Sequence, residues 1–232
     1  MPSPSLATAA PGLMLQLSDD LDVATRTWLQ DHVTALTEPL QPWGRFRQPV
    51  LLQTVDDANL LHAELPQGSH AELRAVAKLD RVLFCTPADR DALLPLLLHE
   101  LAHVQCFQRC TPPHGRVPYL PTWFREGLAL RVAQGRPDPL TRRVLAAHPQ
   151  LPLLPAADDA LIARDPAAVY ALAAHLFTAW HDRFGTLGLT GLYAALRQGH
   201  PFATAFQRAC TQRLNEFIEL WLAALRREAR SK

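Results

Sequence analysis

The five residues His99-Glu100-Leu101-Ala102-His103 constrain this chain more than any other stretch. They follow a leucine-rich run, Leu93 to Leu98, broken only by Pro95. Two histidines four positions apart present both imidazoles to one point when the run is helical, because residues i and i+4 share a face with Cβ atoms about 5–6 Å apart. Glu100 is then offset by about 100° around the helix, beside that point without being aimed at it. With 10 His in 232 residues, the pattern H-E-x-x-H is expected by chance only about 0.015 times. Two imidazoles and a carboxylate within one helical turn are costly to bury unless a metal or polar partners compensate them. The spacing therefore predicts His99 and His103 as ligands of one Zn²⁺, with Glu100 close enough to hold a metal-bound water without being a ligand.

A catalytic zinc takes a third protein ligand and keeps its fourth position for water. The continuation of the same helix places Cys106 and Arg109 where a three-histidine pattern needs Gly and His, which excludes that class. Cys106 and Cys110 share the histidine stripe, but Cys110 lies eleven residues beyond His99, roughly 16 Å of helix rise, so one ion cannot reach both ends. Downstream, Pro121-Thr122-Trp123-Phe124-Arg125-Glu126-Gly127 offers a carboxylate early on a second helix, and Glu126 is the predicted third ligand. Asp138, in Gly135-Arg136-Pro137-Asp138, is the alternative carboxylate for a zinc site of another class.

Composition narrows the remaining classes. The 23 Lys and Arg nearly cancel the 22 Asp and Glu, leaving a net charge of +1 and no global field to draw nucleic acid or anionic membrane. No apolar stretch approaches the roughly 20 residues of a membrane-spanning helix. The amino-terminal segment carries no Lys or Arg before its apolar part, unlike a secretory signal, so a cytoplasmic protein is expected. Four cysteines without a C-x-x-C pair read as free thiols rather than a disulfide framework.

Along the chain, residues 1–12 are expected as a disordered tail and residues 13–232 as one domain with two lobes, 13–110 and 111–232. Asp19, Asp20 and Asp22 after Ser18 predict a helix start, with the helix running to about Glu38. Pro49 to Val55 and Arg81 to Thr86 read as strands, with a third near Ala75 and a short helical patch over Asp57 to Leu65. The strand at Arg81 to Thr86 is expected at a sheet edge, where an extended substrate can pair with it. Beyond Asp89 the apolar pattern is helical, with helices expected near 89–109, 122–134, 138–147, 166–184, 188–198, 202–210 and 212–228. Asp138, Asp165 and Thr211 are expected at helix starts, and Gly135, Gly185 and Gly199 at helix ends. Leu214, Phe217, Trp221 and Leu225 form a core-facing stripe on the last helix.

The run H-E-L-A-H followed by P-x-W-F-x-E-G-L-A resembles the peptidase MA-like, or gluzincin, group of zinc metallopeptidases. The stretch from Val169-Tyr170 through Phe184-Gly185 and Leu196-Arg197 to Phe217–Trp221 resembles the helical tail of that group, extending the resemblance over about residues 48–225. The resemblance implies an α+β zincin-like fold, in which a small mixed sheet packs on the active-site helix and precedes a mainly helical lobe. It implies Zn²⁺ held by His99, His103 and Glu126, Glu100 as general base, and Tyr170 as a donor to the oxyanion. It implies hydrolysis of a peptide or protein substrate, by an endopeptidase since no glycine-rich exopeptidase anchor is present. One departure stands out: position 130, four residues after Glu126, is Leu rather than an Asp able to orient a ligating histidine. The alternative is a zincin-fold binding module without catalysis. The sequence does not specify the oligomeric state.

Overall fold

The structure, a computed structural model, describes residues 6–8, 14–17, 21–55, 61, 74–86 and 90–230. It is mixed α/β; among the described residues every strand lies within the first 84 positions and the regular elements beyond them are helical. The chain divides into two compact units, Met1–Arg109 and Cys110–Lys232.

The first unit is built on a five-stranded mixed sheet. Its strands are β1 (Leu6–Thr8), β2 (Met14–Leu17), β3 (Val50–Thr54), β4 (Ala75–Ala77) and β5 (Arg81–Phe84), in spatial order β1-β2-β3-β5-β4. β3 runs parallel to both neighbours, pairing Leu15 with Val50 on one side and Leu52 with Val82 on the other. Val50 and Leu52 on β3 and Val82 and Phe84 on β5 are fully buried at every second position, as one covered sheet face requires.

Three expectations for this unit need correction. β5 is an interior strand, because β3 and β4 use both of its main-chain edges; the sheet edge on that side is β4. β1 lies inside the stretch 1–12 expected as a tail. It pairs antiparallel with β2 through backbone groups, an association that asks no apolar pattern of the sequence. The expected continuous helix to Glu38 is instead α1 (Val23–Asp31) and α2 (Val33–Thr37), followed by a 3₁₀ segment, Glu38–Trp43. The break falls at His32 (φ −103°, ψ 9°), whose ring Nδ1 and backbone N–H both meet the Trp28 carbonyl oxygen, at 2.8 and 3.0 Å, and whose imidazole stacks on Trp28 at 4.1 Å. The helix start is Asp22, whose side chain accepts from the Thr25 N–H; the Ser18 to Asp20 signal and most of the 57–65 patch lie outside the described residues.

Helix α3 (Leu93–Cys110) closes the first unit. Pro95 is its third residue, where the backbone N–H has no intrahelical partner to lose, so the helix accommodates it without interruption. Leu93, Leu97, Leu101, Val104 and Gln108 form one buried stripe at helical spacing.

The second unit contains α4 (Thr122–Gln134), α5 (Pro139–Ala146), α6 (Asp159–Arg164), α7 (Pro166–Arg197), α8 (Phe202–Cys210) and α9 (Leu214–Arg230). Asp138 and Asp165 cap α5 and α7 as expected, accepting from Leu140 N–H at 2.9 Å and Ala168 N–H at 3.1 Å. The two helices expected over 166–198 are the two halves of α7, which breaks direction at Gly185 (φ 60°, ψ −161°). Thr211 does not start a helix: it ends α8 in the left-handed region at φ 53°, with its hydroxyl donating to the Cys210 carbonyl. α6 was not expected, although Asp158 caps it by accepting from Leu161 N–H at 2.9 Å.

The core of this unit is aromatic. Phe124 meets Phe202, Trp180 and Phe177 with ring centroids 5.2, 5.4 and 5.6 Å away, all steeply inclined, the arrangement that aromatic quadrupoles favour. Trp180 satisfies its buried indole N–H by donating to the Cys210 sulfur at 3.3 Å. Phe217, Trp221 and Leu225 are buried on α9, and Leu214 is half-buried. All four cysteines are free thiols, and burial pushes the Cys210 thiol up. Among the described residues, no helix is long and apolar enough to cross a membrane.

His175, on α7, is buried; desolvation, reinforced by the Arg142 charge, holds its imidazole below the usual range. An unfolded chain takes up this proton near pH 6.5, whereas the folded unit resists it to lower pH, so its stability falls as pH drops below that value and is unaffected above it. Urea unfolding of wild type and His175→Gln between pH 7.5 and 5 should show a shallower loss of stability in the variant. Equal slopes would remove His175 from the account.

Candidate metal centre

The two faces of α3 have different work. On one, Gln108 Oε1 accepts from the backbone N–H of Arg47 at 2.7 Å and of Gln48 at 3.2 Å, while its Nε2 donates to the Leu79 carbonyl at 2.9 Å. Gln105 Nε2 donates to the Gly44 and Leu40 carbonyls at 2.9 and 3.2 Å. These two buried amides tie the helix to the segment entering β3 and to the turn between β4 and β5. At about 100° per residue they point away from His99 and His103. A helix fixed on one side in this way holds whatever its other side carries.

That other side carries the imidazoles. His99 Nε2 and His103 Nε2 are 3.1 Å apart, with the rings edge-on and centroids at 4.7 Å. His103 is buried, and its ring stacks on Phe107 at 5.9 Å with only 10° between planes. Zinc–nitrogen bonds of about 2.0–2.1 Å at a tetrahedral angle place two ligand nitrogens about 3.3–3.4 Å apart. The observed separation is within a few tenths of an ångström of that value, so the pair fits one ion without a change of helix geometry.

Glu126 is the fifth residue of α4 and is only 7% exposed. A ligand atom from each of His99, His103 and Glu126 lies within 4.8 Å of the others, an arrangement that can hold a metal ion. Beside it, Arg125 Nε donates to Glu126 Oε1 at 2.9 Å, giving a buried carboxylate a charged partner that is itself 38% exposed. The next residue, Gly127, sets how closely α4 approaches α7: a Cβ there would stand 2.3 Å from the Ala173 carbonyl oxygen and 2.4 Å from Phe177 Cβ. Glycine after the carboxylate is therefore a packing requirement of the helix pair.

The other candidates take distinct places. Glu100 is half-buried on α3, next in sequence to His99. Tyr170 is the fifth residue of α7 and is 37% exposed, so it is not a core tyrosine. Asp138 is committed to capping α5, with its Oδ1 on the Leu140 N–H, and does not join the histidine cluster. Cys106 and Cys110 are buried and stand outside it too. Gln105, Gln108 and Arg125 carry no motif. Their only signal was polarity at positions where a helical period predicts burial or ligand contact.

In comparison with known proteins, the chain matches no family model, and no curated protein matches it.

Gly127→Ala forces a methyl group against a carbonyl oxygen, an overpacking that costs about 1–3 kcal/mol. Denaturant unfolding should show a loss of that size with the fold retained. A neutral substitution would mean that α4 and α7 are not held at this distance.

Proposed function

We propose that the chain is a zinc-dependent peptide hydrolase with a zincin-like fold, of the gluzincin type that H-E-L-A-H and W-F-x-E-G resemble. The observation that carries this reading is the pair of imidazole nitrogens 3.1 Å apart on one helix face, with the Glu126 carboxylate as the third donor. Two nitrogens and one oxygen make the donor set of a catalytic zinc rather than a structural one, because a fourth position is left to solvent. Histidine and carboxylate donors without a thiolate suit Zn²⁺ better than a soft cation, and two imidazoles distinguish the set from the oxygen cages of Ca²⁺ and Mg²⁺.

His99, His103 and Glu126 would hold the ion. When bound, zinc polarises the scissile carbonyl and makes a water acidic enough to attack at neutral pH. Glu100 takes the proton released by that water and delivers it to the departing amine nitrogen, so that one carboxylate serves as base and then as acid. Its half-buried position supports this role, since it is open enough to exchange a proton and is adjacent to a ligand. Tyr170 donates its hydroxyl to the carbonyl oxygen as negative charge develops there; its exposure on the second turn of α7 supports a part outside the core. The substrate is a peptide or protein, cut internally, and no nucleic acid or membrane is involved. Free thiols support a reducing compartment, the cytoplasm.

Glu100→Gln keeps the shape of the side chain and removes its ability to accept a proton. The variant should bind zinc as wild type does while its hydrolysis of a peptide library falls by about 10² to 10⁴. Undiminished turnover at full zinc content would contradict the assignment of Glu100.

A further inference from the structure

Glu126 shows a feature that a ligand role alone does not account for, which is the cation immediately beside it. The torsion that sets the plane of a glutamate carboxylate is broad and roughly two-fold, so helix position does not fix where the two oxygens point. Something outside the side chain must do so. Arg125 Nε stands 2.9 Å from Oε1, within the range of a short charge-assisted hydrogen bond. The contact is between neighbours in sequence on a well-formed helix, and one partner is largely buried while the other reaches solvent, with 9% and 38% of the side chains exposed. The arginine therefore keeps part of its hydration while it anchors the carboxylate, and avoids the full desolvation of a buried ion pair.

We propose that Arg125 is a positioning residue for the metal site: its Nε–H fixes the rotation of the Glu126 carboxylate so that the ligand is oriented before metal arrives. The proposal rests on the reading of Glu126 as a ligand. Two effects oppose each other. A guanidinium near the site repels a divalent cation, and its removal by itself would tighten binding. Loss of a hydrogen-bonding partner behind a ligand weakens binding, typically by about 10–100-fold. Because Arg125 is more than a third exposed, solvent screens its charge, while the hydrogen bond is a direct contact; orientation outweighs repulsion.

Side-chain topology separates the two effects. Glutamine carries an amide nitrogen at the same chain position as arginine Nε, so Arg125→Gln keeps a donor there and removes the charge. Methionine carries a methyl group at that position, so Arg125→Met removes both. Zinc affinity of the purified full chain, measured by competition with a chromophoric chelator, needs no activity assay. Arg125→Met should bind zinc about 10–100-fold more weakly than wild type, and Arg125→Gln should recover most of that loss. Circular dichroism melting of the metal-free proteins checks that both variants fold as wild type does. Unchanged or tighter binding by the methionine variant would overturn the proposal, as would equal loss in both variants. Wild-type protein that takes up no zinc would instead overturn the ligand reading on which the proposal stands.

Discussion

The site depends on one asymmetry of helix α3. The helix is held by buried amides and leucines on one side and offers two imidazoles on the other. Gln108 alone makes bonds to both the segment entering β3 and the turn before β5, and Gln105 reaches two carbonyls that precede β3. Buried amides are tolerated only when their donors and acceptors find partners, and these do so with backbone groups of the 3₁₀ segment, of the stretch entering β3 and of the turn before β5. The rotation of the helix about its axis is thereby set. That rotation decides which way the face shared by His99 and His103 points.

Position in the second unit comes from packing rather than hydrogen bonding. Trp123 and Phe124 lie in the first turn of α4 and are buried among the rings of α7, α8 and α9. Gly127 admits α7 at a distance no other residue allows. Glu126 lies between these two contacts in sequence, so the aromatic core and the glycine together determine where its backbone stands. Arg125 then bears on where its carboxylate turns. The motif W-F-x-E-G thus joins an anchor, a carboxylate of the candidate metal cluster and a close-packing residue in five positions.

Much of this was readable from the chain because it obeys local rules. The histidine spacing, the aspartate caps of α5 and α7, and the left-handed glycines at positions 135, 185 and 199 are each set within a few residues, and the sequence predicts them with little error. What was not readable depends on distant partners. The interior place of β5 follows from strands on both of its sides. The anchoring of Gln105 and Gln108 involves residues about 60 positions earlier in the chain. The break at His32 is a departure of one residue's backbone angles from helical values, which helical periodicity does not register. β1, too short for any pattern, exists through its pairing with β2.

The chemistry proposed for the chain stands on the ion that the His99, His103 and Glu126 cluster could hold. Its most direct test is metal analysis of the purified protein after equilibration with zinc and removal of excess, joined to X-ray absorption at the zinc edge. The account predicts one zinc per chain with a first shell of nitrogen and oxygen at about 2.0–2.1 Å, imidazole scattering from two histidines, no sulfur ligand, and loss of the ion when both histidines are alanine. Protein that refuses zinc, or zinc bound through cysteine sulfur, would contradict it.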